Sequence, residues 1–390
     1  MTRTWLLVSG DFTPLGGMDM ANYALARYLA GRPGTAAVHL VTHRAWPDLA
    51  ALPAVRVHRV ARPAGRHLPG MPLLARAGRA WARRLAPAGA RVVVNGGNCA
   101  WGDVNWVHYV HAAWRPPAEG SPARRLKAAA ARRYFLHTER ARVPRAALLV
   151  ANSARTRADL VAHLGVPAGR IRVAYYGTEA ARFGPATAAE RAGARAALGL
   201  GGDDRPAVAF VGALGDRRKG FDTLFAAWRL LAAEPSWAAH LVVVGAGAAL
   251  PSWRAAAAAA ALPGRAPVHF LGFRADVPAV LAACDLLAAP ARYEPYGLNA
   301  HEALCRGLPA LVAAGSGVAE RYPAGLRDRL LLPDPDDAPA LARRLLAWRA
   351  DPASWRAAVA APAEALRART WDHCAAEIVA WTEDQGPVGP

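Results

Sequence analysis

The chain has 390 residues with a 54% hydrophobic content, enough for two domains of ordinary size. Its formal net charge of +19 is carried mostly by Arg and invites nucleic acid, anionic lipid or an anionic substrate; the alternative is a compositional bias that exchanges Lys for Arg and fills neutral positions with Ala. The four cysteines, Cys99, Cys284, Cys305 and Cys374, form no C-x-x-C pair, which argues against zinc and a disulfide framework and fits a reducing cytosol.

Trp5 to Val8 is too short for a signal peptide and reads as part of a strand, Thr4 to Ser9. No uncharged run reaches membrane-spanning length. A loop carries Gly16 and Gly17 into a helix from about Asp19 to Ala30. A glycine pair before a helix is a backbone nest for an anion. It is not G-x-G-x-x-G, so no dinucleotide site is expected. Val38 to Thr42, Val55 to Val60 and Arg91 to Asn95 read as strands, and Leu73 to Leu85 as a helix.

The segment from Asn105 to Arg115 begins as a strand and ends in a polar cluster. In an open α/β sheet such exits line the ligand crevice. His108 and His111 lie here with only Asp103 as a third ligand candidate, so no metal site is expected. From Arg124 to Arg145 eight cations face a single acid, Glu139, with Leu126, Tyr134, Phe135 and Leu136 interleaved. Two readings stand: a solvated helix face, or a patch for anionic lipid or a phosphorylated lipid carrier.

Ala147 to Ala151 and Arg170 to Tyr175 read as strands around a helix from Arg155 to Leu164. Thr178 to about Thr187 reads as a linker, followed by a helix from Ala188 to Leu198. A second run of alternating strands and helices begins at Ala207. Its first strand opens into Ala213-Leu214-Gly215-Asp216-Arg217-Arg218-Lys219-Gly220. Cations at a strand-to-helix turn suit phosphate, Arg as a planar fork and Lys as a point charge. Leu241 to Gly247, Val268 to Gly272 and Asp285 to Pro290 continue as strands, with helices from Ala255 to Ala261 and from Asp276 to Ala283 between them.

The stretch Arg292-Tyr293-Glu294-Pro295-Tyr296-Gly297-Leu298-Asn299-Ala300-His301-Glu302 then leads into a helix ending at Gly307 and a strand from Ala310 to Ala313. Gly297 permits close backbone approach to a ligand, and the helix entrance favours negative charge. Glu294 and Glu302 are two carboxylates along one elongated, hydroxyl-rich ligand. Gly315-Ser316-Gly317 is another turn at a strand end. A short strand from Leu330 to Pro333 and helices from Ala338 to Arg349 and Trp371 to Trp381 complete the chain.

The run E-P-Y-G-L-x-x-x-E-A-L-x-x-G-L-P resembles the donor-site motif of retaining glycosyltransferases of family 4, the group 1 glycosyltransferases. Lys219, Gly220, Asp222 and Leu224 match a second family pattern, whereas Ala213 stands where the family has an Arg; Arg217 or Arg218 is the substitute. The resemblance implies an α/β chain of GT-B fold, two facing Rossmann-like domains with an inter-domain cleft. The expected division is residues 1–178 as the acceptor-side domain, 179–187 as linker and 188–370 as the nucleotide-sugar domain. Residues 371–390 are expected to form a helix crossing back to the first domain, and a tail.

The implied reaction moves a hexose from a UDP- or GDP-sugar to an acceptor hydroxyl with retention, in cell-surface polysaccharide or glycolipid synthesis, without metal or other cofactor. The resemblance assigns Gly16 and Gly17 to face the donor diphosphate and Lys219 with Arg217 or Arg218 to bind it. Glu294 with the backbone at Tyr296, Gly297 and Leu298 holds the sugar, and Glu302 holds the ribose. His111 lies next to the reacting sugar, with His108 as the alternative. The expected partners are the nucleotide sugar, a glycan or lipid-linked acceptor and an anionic membrane surface at Arg124 to Arg145; nucleic acid is not expected. The expected location is cytoplasmic, or peripheral on the inner face of the membrane. The alternative is a catalytically silent relative, or a basic protein binding anionic lipid or nucleic acid.

Overall fold

The computed structural model describes residues 2–117 and 120–385; the tail expected beyond the last helix, residues 386–390, lies outside them. The chain divides into two compact units, Met1–Gly177 with Trp371–Pro390, and Thr178–Thr370.

The first unit is built on a seven-stranded parallel sheet. Its order is Val55–Arg59, Thr35–Thr42, Arg3–Val8, Arg91–Asn95, Val104–Val107, Leu148–Ala151, Ile171–Val173. Its central strands are buried along their length, as expected where helices cover both faces of a parallel sheet. Helix Met18–Gly31 follows the glycine loop. Helix His67–Leu85 starts six residues earlier than expected, because Pro72 lies inside it instead of opening it. Helix Pro122–Arg142 is capped by Ser121, whose side chain accepts the Arg124 N–H.

The C-terminal helix, Trp371–Asp384, belongs to this unit and buries Trp371, Cys374, Ile378 and Val379. Near its end Glu383 accepts two hydrogen bonds from Arg32, at 2.7 and 2.9 Å, and pairs with Arg3 at 2.9 Å.

The second unit carries six parallel strands in the order Val268–Gly272, His240–Val244, Ala207–Val211, Leu286–Ala289, Ala310–Ala313, Leu331–Leu332. In this sheet the chain winds outward from Ala207–Val211 in one direction, then returns and winds in the other. The reversal falls between Ala207–Val211 and Leu286–Ala289, and ligands of such sheets bind beyond the strand ends at that point. The segment expected as a linker contains a short helix, Ala180–Phe183, and a Thr187/Glu190 capping box opens helix Ala188–Ala197. Thr178 pairs with Thr370, and its N–H donates to the Arg369 carbonyl at 2.9 Å. The two segments that bound this unit therefore run side by side. Among the described residues no helix is long and apolar enough to cross a membrane, and the four cysteines are buried and free.

Candidate active site

Two loops leave the second sheet at its reversal point. The first follows Ala207–Val211 and makes a single 3₁₀ turn, Arg217–Lys219. Asp216 caps that turn by accepting the Arg218 N–H at 3.0 Å. The second follows Leu286–Ala289 and runs to helix Leu298–Cys305. The loops touch at Gly220, whose φ is +72° and where a Cβ would sit 1.8 Å from the Pro290 carbonyl oxygen. Only glycine allows this approach. Just beyond, the Arg292 N–H donates to the Arg218 carbonyl at 2.8 Å.

This docking brings together three charged side chains. Lys219 Nζ donates to Glu294 Oε2 at 2.6 Å, and Arg218 Nη1 lies 3.7 Å from the same oxygen. Arg218 also donates to the Tyr293 carbonyl at 2.9 Å and, through Nε, to Asp216 at 3.0 Å. Burial alone would raise the Glu294 pKa. The neighbouring Lys219 and Arg218 overcome it and hold the carboxyl below its ordinary value. At neutral pH the group is a carboxylate between two cations.

Arg217 donates to Asp222 at 2.8 and 3.0 Å. Of the two candidates for the position left by Ala213, Arg218 is therefore the one beside Glu294. Sequence reasoning missed Arg292, which bonds both Asp222 oxygens at 2.8 Å, Asp336 at 2.7 Å and the Arg217 carbonyl. It ties the Glu294 loop to the basic turn, and in sequence it carries no signal beyond adjacency to the motif.

Gly297 opens the helix with φ +107°, and a Cβ there would meet Val318 at 2.9 Å. The first N–H groups of an eight-residue helix have no acceptor within it, so Gly297 and Leu298 stand where backbone donors meet the loop. Tyr296 is assigned to the ligand through its backbone. Its ring is buried and its hydroxyl is hydrogen-bonded to His301 Nδ1 at 2.7 Å, so it offers a ligand only its backbone. Lys219, Glu294 and Gly297 line one pocket, joined by Asn299 and Ser316. Asn299 lies within the motif stretch, where its sequence carries no signal of its own. Its amide donates to the Val211 carbonyl at 2.8 Å, fixing the helix start to the first strand's end. Glu302 is half-buried, and burial pushes its carboxyl up to about 8, with Arg182 pulling the other way. A neutral carboxyl both donates and accepts, which suits a pair of ligand hydroxyls.

The remaining expected residues lie in the first unit. Gly16 has φ +80°, and Gly17 occupies the N-cap of helix Met18–Gly31 without a side-chain cap. Asp19 stands in the first turn after them. Burial and the nearby Asp11 push its carboxyl up to about 7. His108 is buried, hydrogen-bonded through Nδ1 to the Tyr176 hydroxyl, and burial pushes its pKa down to about 3. It is part of the core. His111 is half-buried in the 3₁₀ turn His111–Ala113, and burial first, then His67 and Arg132, push its pKa down to about 4. Its ring is neutral at neutral pH. Asp103 accepts the Val92 N–H at 2.9 Å within the sheet, serving backbone rather than a ligand. Among the described residues no three His, Cys, Asp or Glu side chains group as metal ligands.

Two family descriptions match the chain. Glycosyltransferase Family 4 matches residues 15–182, and Glycosyl transferases group 1 matches residues 205–351. A D-inositol 3-phosphate glycosyltransferase from Rhodococcus jostii is 36% identical over 188 residues, covering 44% of this chain and 39% of that protein. The chain thus spans about two fifths of that relative's length. Among solved structures, sucrose-phosphate synthase from Thermosynechococcus elongatus superposes with a TM-score of 0.76 at 24% identity, covering 98% of both chains. Anabaena HepE in complex with UDP and glucose superposes with a TM-score of 0.68 at 20% identity, over 99% of this chain and 100% of that one. These likenesses show the GT-B fold.

Proposed function

Since the chain belongs to the group 1 glycosyltransferases of family 4, we propose that it moves a hexose from a UDP- or GDP-sugar to an acceptor hydroxyl with retention. The observation that carries this reading is the Lys219–Glu294–Arg218 cluster at the sheet's reversal point, beside Gly297 and a helix N-terminus. Cations and backbone donors face the charge that develops on a leaving diphosphate. A carboxylate held ionised beside them accepts hydrogen bonds from sugar hydroxyls. The anomeric carbon–oxygen bond breaks with its electron pair going to the diphosphate. The acceptor oxygen attacks from the same face, and its proton passes to the departing phosphate oxygen. Lys219 and Arg218 supply the positive charge, so no metal or other cofactor is required by this scheme. By the family resemblance Glu302 is assigned the ribose, Gly16 and Gly17 the diphosphate, and His111 the reacting sugar.

UDP in the solved HepE complex supports a uridine donor, and the Rhodococcus relative supports a polyol acceptor. Calorimetry with UDP, GDP and ADP, without metal and then with magnesium, tests the donor reading. Selective binding of one nucleotide without metal is the expected result. Binding only with magnesium overturns the metal-free scheme. Binding of none overturns the donor site, and nucleotide binding without turnover of its sugar identifies a silent relative.

We further propose that helix Pro122–Arg142 rests on an anionic membrane, which places the protein on the cytoplasmic face and favours a glycolipid or lipid-linked glycan acceptor. Residues 120–130 are all exposed, Arg124, Arg125 and Lys127 among them, and Leu126 is 73% exposed. Basic side chains near such a surface contribute about 1 kcal/mol each. Replacing Arg124, Arg125 and Lys127 together by Ala should therefore weaken binding to phosphatidylglycerol vesicles about 100-fold without changing nucleotide affinity. Equal sedimentation with phosphatidylcholine vesicles overturns this reading, and retention on duplex DNA at physiological salt favours nucleic acid instead.

A further inference from the structure

Glu139 is the lone acid of a stretch rich in arginine, yet it does not serve those arginines. It is 2% exposed, on the inward face of helix Pro122–Arg142. One carboxylate oxygen accepts the His111 N–H at 2.7 Å, and the other accepts the Ala112 N–H at 3.0 Å. These are the first two N–H groups of the turn His111–Ala113, which has no internal acceptor for them.

Phe135 stands one helical turn earlier on the same face, at the i, i+4 spacing. Its ring lies parallel to the His111 imidazole, with centroids 4.6 Å apart and planes 6° apart. Tyr109 closes the other side edge-on at 4.8 Å. At the end of the same helix Arg142 donates to the Gly97 carbonyl at 2.8 Å, in the 3₁₀ turn that follows strand Arg91–Asn95. One helix face thus fixes both the backbone and the ring plane of His111.

We infer that Glu139, aided by Phe135, is the positioning residue that fixes the backbone and ring of His111 for its catalytic role. The inference rests on the role proposed for His111. Glu139 itself touches no substrate; it acts through the turn. Burial pushes the Glu139 carboxyl up to about 7, with the two backbone N–H bonds pulling the other way, and the ionised form is the one in which both oxygens accept. An amide in its place presents one acceptor and turns an N–H₂ toward the second backbone N–H. An ordinary structural cap would affect folding and leave the chemistry alone, so the test must separate the two.

The test uses the full chain and whichever of UDP-glucose, UDP-N-acetylglucosamine or GDP-mannose the wild type turns over, read as nucleotide release. Glu139→Gln is expected to lower kcat about 10–100-fold, the effect of a reacting group displaced by about 1 Å, with donor KM within about twofold of wild type. His111→Ala is expected to lower kcat as well, and the double variant to fall no further than His111→Ala alone. Glu139→Asp, which keeps two acceptors, should recover part of the loss. Losses that multiply in the double variant, or full kcat in Glu139→Gln, overturn the inference. Full turnover in His111→Ala instead overturns the role of His111 and leaves the reading of the donor site standing. Should Glu139→Gln fail to fold, Phe135→Leu keeps the clasp and frees the ring; unchanged kcat in that variant also overturns the inference.

Discussion

Replacing Glu294 by Ala should reduce sugar transfer about a thousandfold while the protein still binds the nucleoside diphosphate, as strongly as before or more so. The first half follows from what the carboxylate would do. Charge-assisted hydrogen bonds to sugar hydroxyls contribute about 1.5–3 kcal/mol each, and two such bonds strengthened in the transition state account for about three powers of ten. The second half follows from what it does in the structure. Glu294 is bonded to Lys219 at 2.6 Å, so it neutralises a cation assigned to the diphosphate. Binding of donor must exchange partners, Lys219 turning to phosphate and Glu294 to the sugar. Without Glu294, Lys219 no longer has that carboxylate to leave. Steady-state transfer combined with calorimetry separates the two halves. Full transfer in the variant removes Glu294 from the mechanism, and parallel loss of transfer and nucleotide affinity assigns it to holding the nucleotide instead.

Much of this arrangement was legible in the sequence because the chemistry is carried by local signals. The glycine between strand and helix, the basic turn and the motif around Glu294 each sit within a dozen residues, and the alternation of apolar runs with helical stretches gives a doubly wound sheet. What was not legible is pairing between distant or competing groups. Lys219 and Glu294 are 75 residues apart, and their bond exists only because Gly220 lets one loop lie on the other. Arg217 and Arg218 are adjacent and equivalent in sequence. They diverge because the turn sends one toward Asp222 and the other toward Glu294 and Asp216.

Glu139 could be read as a solvated residue among arginines, since nothing local shows that its side of the helix is the buried one. Tyr296 turns its ring into the core, where its hydroxyl meets His301, a pairing that the motif itself does not show. Helices Ala324–Leu330, Pro352–Ala358 and Ala360–Ala368 were not foreseen. They are short and rich in small or polar residues, and alanine favours helix without marking a buried face.

Replacing Lys219 by Ala should weaken diphosphate binding far more than nucleoside binding, and its sign does not depend on how the acceptor is recognised. A hydrogen bond from an ammonium to phosphate contributes about 1.5–3 kcal/mol net, so the nucleoside diphosphate should lose about 10–100-fold in affinity and the nucleoside almost nothing. The structure adds a second consequence. Lys219 is the nearer of the two cations that keep Glu294 ionised against burial, and with it gone burial raises the carboxyl. Arg218 remains, 3.7 Å away, and bonded also to Asp216 and the Tyr293 carbonyl, so it compensates only in part. The variant therefore carries a Glu294 that protonates at a higher pH than in the wild type. In the wild type the lowered pKa means that the ionised carboxylate persists as pH falls below the ordinary carboxylate range. In the variant that persistence is lost, and the acid limb of the pH–rate profile should move upward. Glu294→Ala has no such limb from this group, so the displaced limb reports the pair itself. Equal loss of nucleoside and diphosphate binding, with an unmoved acid limb, would show that Lys219 holds the loop in shape rather than the phosphate in place.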